Sequence, residues 1–431
     1  MKKILSLALI LMLALASFTG AVAQEDRGEP NVTVDSVYYD DWSIEITWLP
    51  QDGFDTTDTA MADYLVGTAV AFVKDHPEVK VTCAAQSINI ADAMSKLLTQ
   101  AAAGNAPDVA SVDSFYLPLY YDYLQPVTDV FEANGLSLDS WFPFAQDAMT
   151  NEDGDIVAMW YDTDVRALYY QKSVMPTPPA TWDELIEYAQ KLTTEDHYGY
   201  VFGAGDSGTM MFTFVPYIWC NGGDVMSADG TQSMLDQPEA VEALQLMCDL
   251  ANEYKVCPEG ITAYGWTESQ DAFLSGKASM IVLGSAAVWS MLTGEYDINA
   301  GSCLIPSKDG VTYSSFSGGD SLAMVYDCAN PDVAWDFIEY CLSEDVQVEE
   351  MAQYGQLPAR SDLFDNQYFE ANPEFQVMRE ALAVGEAPYS LKYNEMYVPF
   401  LDGVQAAING VTTAEEAFAS AAQNINALLA E

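Results

Sequence analysis

Short apolar runs alternate with longer stretches of helical periodicity along most of this chain, and that alternation limits the folds open to it. Ser43-Ile44-Glu45-Ile46-Thr47-Trp48 alternates polar and apolar residues, as a half-buried strand does. Residues 58–74 read as a helix and Val79-Lys80-Val81-Thr82 as a second strand. Residues 90–103 form another helix, with Ala93, Leu97, Leu98 and Ala101 along one face. Gly104-Asn105-Ala106-Pro107-Asp108 stops it, and Val109-Ala110-Ser111-Val112 is a third strand. Strands separated by helices call for a mostly parallel sheet covered on both faces. The pattern continues. Thr181 and Glu184 are spaced as a reciprocal cap that opens a helix. A helix over residues 212–220 meets a left-handed stop at Asn221-Gly222-Gly223. Residues 238–254, 331–342 and 414–429 are also helical, and 278–283 and 321–326 are strands.

The chain's 431 residues allow two or three domains, and 50% hydrophobic with 12% aromatic residues is enough to build their cores. Against 15 Lys and Arg stand 65 Asp and Glu, a formal charge of −50. Such a surface repels phosphate backbones and anionic lipid headgroups, so no nucleic-acid partner is expected. The acid excess has a plainer reading as a heavily solvated surface. With two histidines, His76 and His197, a His-rich metal site or a His-dependent triad has almost nothing to use, and no metal or cofactor is expected. The seven cysteines are odd in number and lack a C-x-x-C pair. They read as small buried apolar residues, and Cys248–Cys257 is the nearest pair should one bridge form. Met1-Lys2-Lys3, an apolar run over 4–18 broken only by Ser6 and Ser17, and Ala21-Val22-Ala23 before Gln24 together read as a secretory signal peptide over residues 1–23. The first cysteine is Cys83, so no lipid anchor follows the signal. The expected location is exported, periplasmic or secreted.

Six segments, in order, carry a family resemblance. They are Ala102-Ala103-Gly104-Asn105-Ala106-Pro107-Asp108-Val109, Asp162-Thr163-Asp164-Val165-Arg166-Ala167-Leu168-Tyr169-Tyr170 and Thr181-Trp182-Asp183-Glu184-Leu185. Then come Ala272-Phe273-Leu274-Ser275-Gly276-Lys277-Ala278-Ser279-Met280, Phe316-Ser317-Gly318-Gly319-Asp320-Ser321-Leu322-Ala323 and Tyr354-Gly355-Gln356-Leu357-Pro358-Ala359-Arg360. With them residues 43–431 resemble the family 1 extracellular solute-binding proteins, the maltose-binding-protein-like receptors of ABC importers. The resemblance implies a two-lobed α/β periplasmic-binding-protein fold. Each lobe would be a mostly parallel sheet flanked by helices, joined to the other by hinge crossovers. Mapped here, lobe one is 24–162 plus 302–344 and lobe two is 165–300 plus 345–431, with crossovers near Thr163-Asp164, Ala300-Gly301 and Glu344 to Val346. It further implies a monomer that captures a carbohydrate between the lobes and delivers it to the transmembrane subunits of an ABC permease. A polyamine or another small solute is the alternative cargo for the same fold.

A sugar offers hydroxyls at its rim and C–H faces above and below, so aromatic rings beside carboxylates at strand ends are the groups to seek. Trp48 ends the first strand and Gln51 follows it, though Trp48 reads equally as core. Gln86 follows the second strand; Asp113 and Phe115 follow the third, where the family places ligand contacts. Asp162 and Asp164 lie in the crossover, and Arg166 reads as their neutralising partner. Phe212 and Trp219 share a helical face with Val215; the spacing suits a core stripe, while the family puts ligand-stacking aromatics on this segment. Where the family carries Gly-Ser-Trp or Gly-Pro-Trp this chain has Gly284-Ser285-Ala286, so Trp289 or Trp266 is expected to stand in for the missing ring. Asp320 follows Gly318-Gly319, and Tyr354 and Arg360 flank the last loop. Catalysis is not expected. The chain has no G-x-S-x-G, H-E-x-x-H or G-K-[ST] motif, and the pairs Asp162/Asp164 and Asp153/Asp155 are expected not to converge as a glycosidase dyad would.

Overall fold

The computed structural model describes residues 27–84, 90–288, 298–352, 355–387 and 392–430, without the side chains of Glu349, Glu350, Tyr393 and Asn394. The signal-peptide reading of residues 1–23 lies outside the described residues.

In chain order the strands are β1 (Asn31–Val32), β2 (Ser36–Tyr38), β3 (Ile44–Leu49), β4 (Val79–Cys83), β5 (Val109–Asp113), β6 (Met159–Val165), β7 (Ala167–Gln171) and β8 (Met280–Leu283). They continue as β9 (Ala300–Cys303), β10 (Ser315–Met324), β11 (Leu357–Pro358) and β12 (Gly385–Glu386). The large sheet runs β1-β2-β4-β3-β5-β10-β6-β11, with β12 beside β10. The small sheet runs β8-β7-β9. Helices α1 (Thr59–Asp75) and α2 (Ile90–Ala102) carry the chain back between β3, β4 and β5, so these three strands pair in parallel. By contrast β10 pairs antiparallel with both β5 and β6, and the small sheet is antiparallel in both its pairings. The pairing is therefore more mixed than the mostly parallel sheets expected, because strands that pass between lobes in opposite directions meet antiparallel.

The local signals explain the helix ends. Asp58 accepts hydrogen bonds from the amides of Ala60 and Met61 to open α1. Thr181 and Glu184 form their reciprocal cap at the start of α3 (Trp182–Leu192). Asp206 caps α4 (Ser207–Cys220), which begins five residues before the expected Phe212 and ends at Asn221. Gly222, at φ 81°, takes the left-handed turn beyond it.

The core of the first lobe is aromatic. Trp48 is 1% exposed and meets Phe337 edge-on, with ring centroids 5.0 Å apart. Phe72 of α1 meets the same Phe337 at 5.0 Å and fixes that helix to the sheet. Each such fully buried ring contributes roughly 2–3 kcal/mol of transfer free energy.

One residue, Arg166, separates β6 of the large sheet from β7 of the small one. The return passage differs from the expected one. Ala300 and Gly301 lie in β9, paired with Gln171 and Tyr170, and Ser307 bridges Thr181, so residues 302–314 stay with the second lobe. The chain re-enters the large sheet along β10 instead. Residues 345–352 and 355–365 likewise belong with the first lobe rather than the second. There β11 pairs with β6, Arg360 bridges Trp141, and the Ser361 hydroxyl donates to the Ser140 carbonyl at 3.1 Å. Cys248 and Cys257 do not bridge; five of the seven cysteines are buried and Cys303 and Cys328 half-buried. Among the described residues no helix is long and apolar enough to cross a membrane.

Candidate functional site

Strand register builds the centre of the site. Asp320 of β10 stands opposite Asp113 of β5 on one side and Asp162 of β6 on the other. Directly opposed residues share a sheet face, so three neighbouring strands set three carboxylates in a row. A bulge arranges this. The β10–β6 register shifts between Asp320 and Ser321, so Ser321 faces Trp160 and Asp320 faces Asp162, with Tyr161 left between them. Gly319 beside the bulge has φ 156°, and a Cβ there would run into the Asp162 carbonyl and come within 2.8 Å of Trp160 Nε1. No other residue fits so close a crossing of two strands.

Donors around the row are few. The Gln51 amide donates to Asp162 Oδ2 and, at 2.6 Å, to Asp320 Oδ2. Asp320 N–H donates to Asp162 Oδ1 at 2.8 Å, and the Ser111 hydroxyl to Asp320 Oδ1 at 3.3 Å. Asp113 Oδ1 accepts from Phe115 N–H at 2.9 Å. Burial, and then the nearby Asp320 carboxylate, push the Asp113 carboxyl up to about 8, against the pull of that amide. Burial raises Asp320 to about 6, with Gln51 and Ser111 holding it back. Asp162 is 2% exposed and lies well above the usual carboxylate range, through burial first and Asp320 second.

Three phenyl rings wall the row. Phe115 of the first lobe stacks on Phe212 of α4 with centroids 6.2 Å apart and planes within 12°. Phe316, at the start of β10, lies 5.7 Å from Phe115 and 4.9 Å from Phe212. The row and rings line a cavity of about 300 Å³, to which Ile90 and Gln356 also contribute. Asp164, Arg166 and Phe212 are shared with a second chamber of about 460 Å³, lined further by Asp206, Trp266 and Gln270. The Arg166 guanidinium lies 5.2 Å from the Phe212 ring and 5.7 Å from Trp266, and Nη1 donates to Asp164 Oδ2. Burial lowers Arg166 to about 10. Asp164 Oδ1 accepts twice from Ser285, from N–H at 2.6 Å and from the hydroxyl at 2.7 Å. Gly284 makes room for this arrangement, since a Cβ there would stand 2.5 Å from Arg166 Nη1. A hollow of about 610 Å³, lined by Tyr264, Glu268, Asp271 and Lys277 among others, shares no residue with either chamber.

Seven sequence candidates thus converge: Gln51, Asp113, Phe115, Asp162, Asp164, Phe212 and Asp320. Asp162 and Asp164 both reach the cleft, because residues two apart on a strand share a face. The expectation that they diverge was mistaken, yet their roles separate. Asp164 is taken up by Arg166 and Ser285, whereas Asp162 belongs to the row. Three candidates sit elsewhere. Trp48 is core, held between Phe54 and Phe337. Trp219 is buried behind the wall, stacked 5.7 Å from Phe316 with its Nε1 donating to Asp224 at 3.0 Å. Arg360 donates to both Asp362 oxygens and to the Leu342 carbonyl, which ties a loop rather than facing the cleft. Gln86, Trp289 and Tyr354 lie outside the described residues. Trp266, the other stand-in for the missing ring, does line the second chamber. Phe316, named above only as the first residue of a family segment, was not among the candidates; its place just ahead of Gly318-Gly319 was the available signal.

Residues 54–348 match the family model described as bacterial extracellular solute-binding protein. A binding protein of Brucella abortus is 26% identical over 230 residues, covering 52% of this chain and 55% of that protein. The maltotriose-binding protein of Pyrococcus abyssi is 23% identical over 279 residues, 64% of this chain and 58% of its own length. The chain thus spans little more than half the length of these curated relatives. Maltose-bound MalE3 of T. maritima superposes with a TM-score of 0.74 at 26% identity, covering 90% of this chain and all of that one. The cyclic α-maltosyl-1,6-maltose binding protein of Arthrobacter globiformis superposes with a TM-score of 0.76 at 23% identity, covering 89% and 98%.

Proposed function

We propose that this chain, which belongs to the bacterial extracellular solute-binding protein family, is the receptor of an ABC importer and captures a carbohydrate in the cleft between its lobes. The observation that carries the reading is the aromatic cavity at the lobe junction. Phe115 and Phe316 from one side and Phe212 from the other enclose about 300 Å³ beside a row of hydrogen-bonding carboxylates. Rings cover the apolar faces of a sugar and carboxylates accept from its rim. Because the walls come from both lobes, a ligand that touches both favours the closed arrangement by its differential contacts. Names among the relatives point the same way, with maltotriose and maltose as their ligands. The second chamber of about 460 Å³ suits a ligand longer than one ring, an oligosaccharide.

The role is capture without chemistry, in an exported monomer that hands its ligand to the permease's transmembrane subunits. Affinity near micromolar, about −8 kcal/mol, would hold the ligand and still permit release. A thermal-shift screen against mono- and oligosaccharides, polyols and polyamines tests the reading, because a ligand of the folded state raises the melting temperature by mass action. A panel in which no saccharide raises it would overturn the carbohydrate assignment.

A further inference from the structure

We propose that the ligand carries a protonated amine, as an amino sugar or an aliphatic polyamine does, and that its ammonium seats on the Asp113–Asp320–Asp162 row. The inference rests on the cleft reading above and narrows its ligand class.

The first support is the row itself. Strand register, rather than side-chain freedom, holds the three carboxylates together, so they cannot drift apart to relieve their repulsion. The second is the poverty of positive charge. Among the described residues Arg166 is the one basic residue that lines this cavity, and its Nη1 is committed to Asp164. Among the described residues the Asp113 carboxylate receives a single hydrogen bond, from the Phe115 amide. Both Asp162 and Asp320 draw on the same Gln51 amide. These neutral donors leave the repulsion to be relieved by retained protons, and an ammonium seated on the row would displace those protons as the balancing charge.

The third support is the wall. Phenyl faces attract cations within about 6 Å of their centroids, most strongly where water is excluded. The molecule already uses that chemistry next door: Arg166 lies between the Phe212 and Trp266 rings with a carboxylate at its end. An incoming ammonium would meet a similar combination at Phe115 and Phe316 beside the row. A metal ion fits less well, since the described residues hold no group of His, Cys, Asp or Glu able to bind one. The formal charge of −50 also draws cationic solutes toward the protein.

Matched pairs give the test, by titration calorimetry on the mature protein at pH 7.5. Glucosamine is compared with glucose, the trimer of β-1,4-linked glucosamine with cellotriose, and spermidine is titrated alone. The expected result is that at least one amine probe binds, and that an amino sugar binds about tenfold or more tighter than its hydroxyl counterpart. In Asp113→Asn and Asp320→Asn that preference falls below about threefold, while the melting curves stay cooperative. Equal or tighter binding of the neutral partners overturns the inference and leaves the carbohydrate reading intact. So does a preference that survives both substitutions, or silence from every amine probe. Binding of spermidine with no saccharide bound supports the amine seat and overturns the carbohydrate reading instead.

Discussion

Replacing Asp113 by Asn should stabilise this protein at pH 8 and do nothing for it at pH 4. Folded Asp113 holds its proton up to about 8 through burial and the facing Asp320 carboxylate. In the unfolded chain an aspartate loses that proton near about 4. The folded state therefore binds more protons across that window, and stability falls as pH rises through it. What this group contributes is complete below about pH 4 and is drained by about pH 8. A gap of about four pH units at about 1.4 kcal/mol each sets a ceiling of about 5 kcal/mol. The row shares its protons, so we expect Asn to recover about 2–4 kcal/mol at pH 8. For a chain of this size that is roughly 2–5 °C in melting temperature. Asn suits the position: its oxygen can keep the Phe115 amide and its nitrogen can donate toward Asp320, in place of the repulsion. The assay is a melting temperature for both proteins at half-unit steps from pH 4 to 8.5. Acidic residues outside the row are common to both proteins and cancel in the difference, whereas Asp162, whose carboxyl Asp113 helps to raise, adds to it. A difference that stays flat with pH, or a variant less stable than the parent at pH 8, would refute the reasoning.

Three further outcomes separate core from cleft. Trp48→Ala should cost about 3–5 kcal/mol by opening a cavity beside Phe337, seen as a lower melting temperature. Its saccharide affinity by calorimetry should stay within about twofold of the parent, since Trp48 is outside the cavity. Arg360→Ala should cost about 1–3 kcal/mol in chemical denaturation by releasing the Leu342 carbonyl and Asp362, again with affinity unchanged. Phe212→Ala should behave in the opposite way. Affinity for the saccharide identified by screening should fall about tenfold or more, because one wall common to both chambers is lost.

Much of the architecture was legible in local chemistry. Asp58, Thr181 and Asn221 each punctuate a helix by hydrogen bonding within a few residues, and such signals survive any tertiary arrangement. The alternation over residues 43–112 predicted β3, β4 and β5 with their helices, because a chain crossing back over a sheet must alternate in this way. The lobe passages were harder to read. Ala300 and Gly301 look like linker, small and flexible, yet they pair with Gln171 and Tyr170 at one end of a ladder. Residues 355–365 are held to the first lobe by a two-residue strand and a few long-range hydrogen bonds. Pairing between distant segments leaves no periodicity in either one, so nothing local separated these stretches from their neighbours.

The site divides along the same line. Asp113, Asp162 and Asp320 could be named as candidates from their places at strand ends and crossovers, but their union could not be read. It depends on which residue of β10 opposes which of β5 and β6, and a slip by one residue would send each side chain to the other face. The bulge at Tyr161 sets that register, and the close strand crossing at Gly319 permits it. Trp48 and Trp219 misled for a related reason. A tryptophan at a strand end or on a helical stripe looks the same in sequence whether it packs inward or lines a cleft. Asp162 and Asp164 make the sharper case. They lie two residues apart on one strand and face the same cleft, yet one shares its Gln51 donor with Asp320 and the other is saturated by Arg166 and Ser285. Most of the partners that set the two carboxylates apart lie more than a hundred positions away in the chain, Ser285 for Asp164 and Gln51 and Asp320 for Asp162. Role therefore follows partners rather than residue type, and partners are assigned by the sheet.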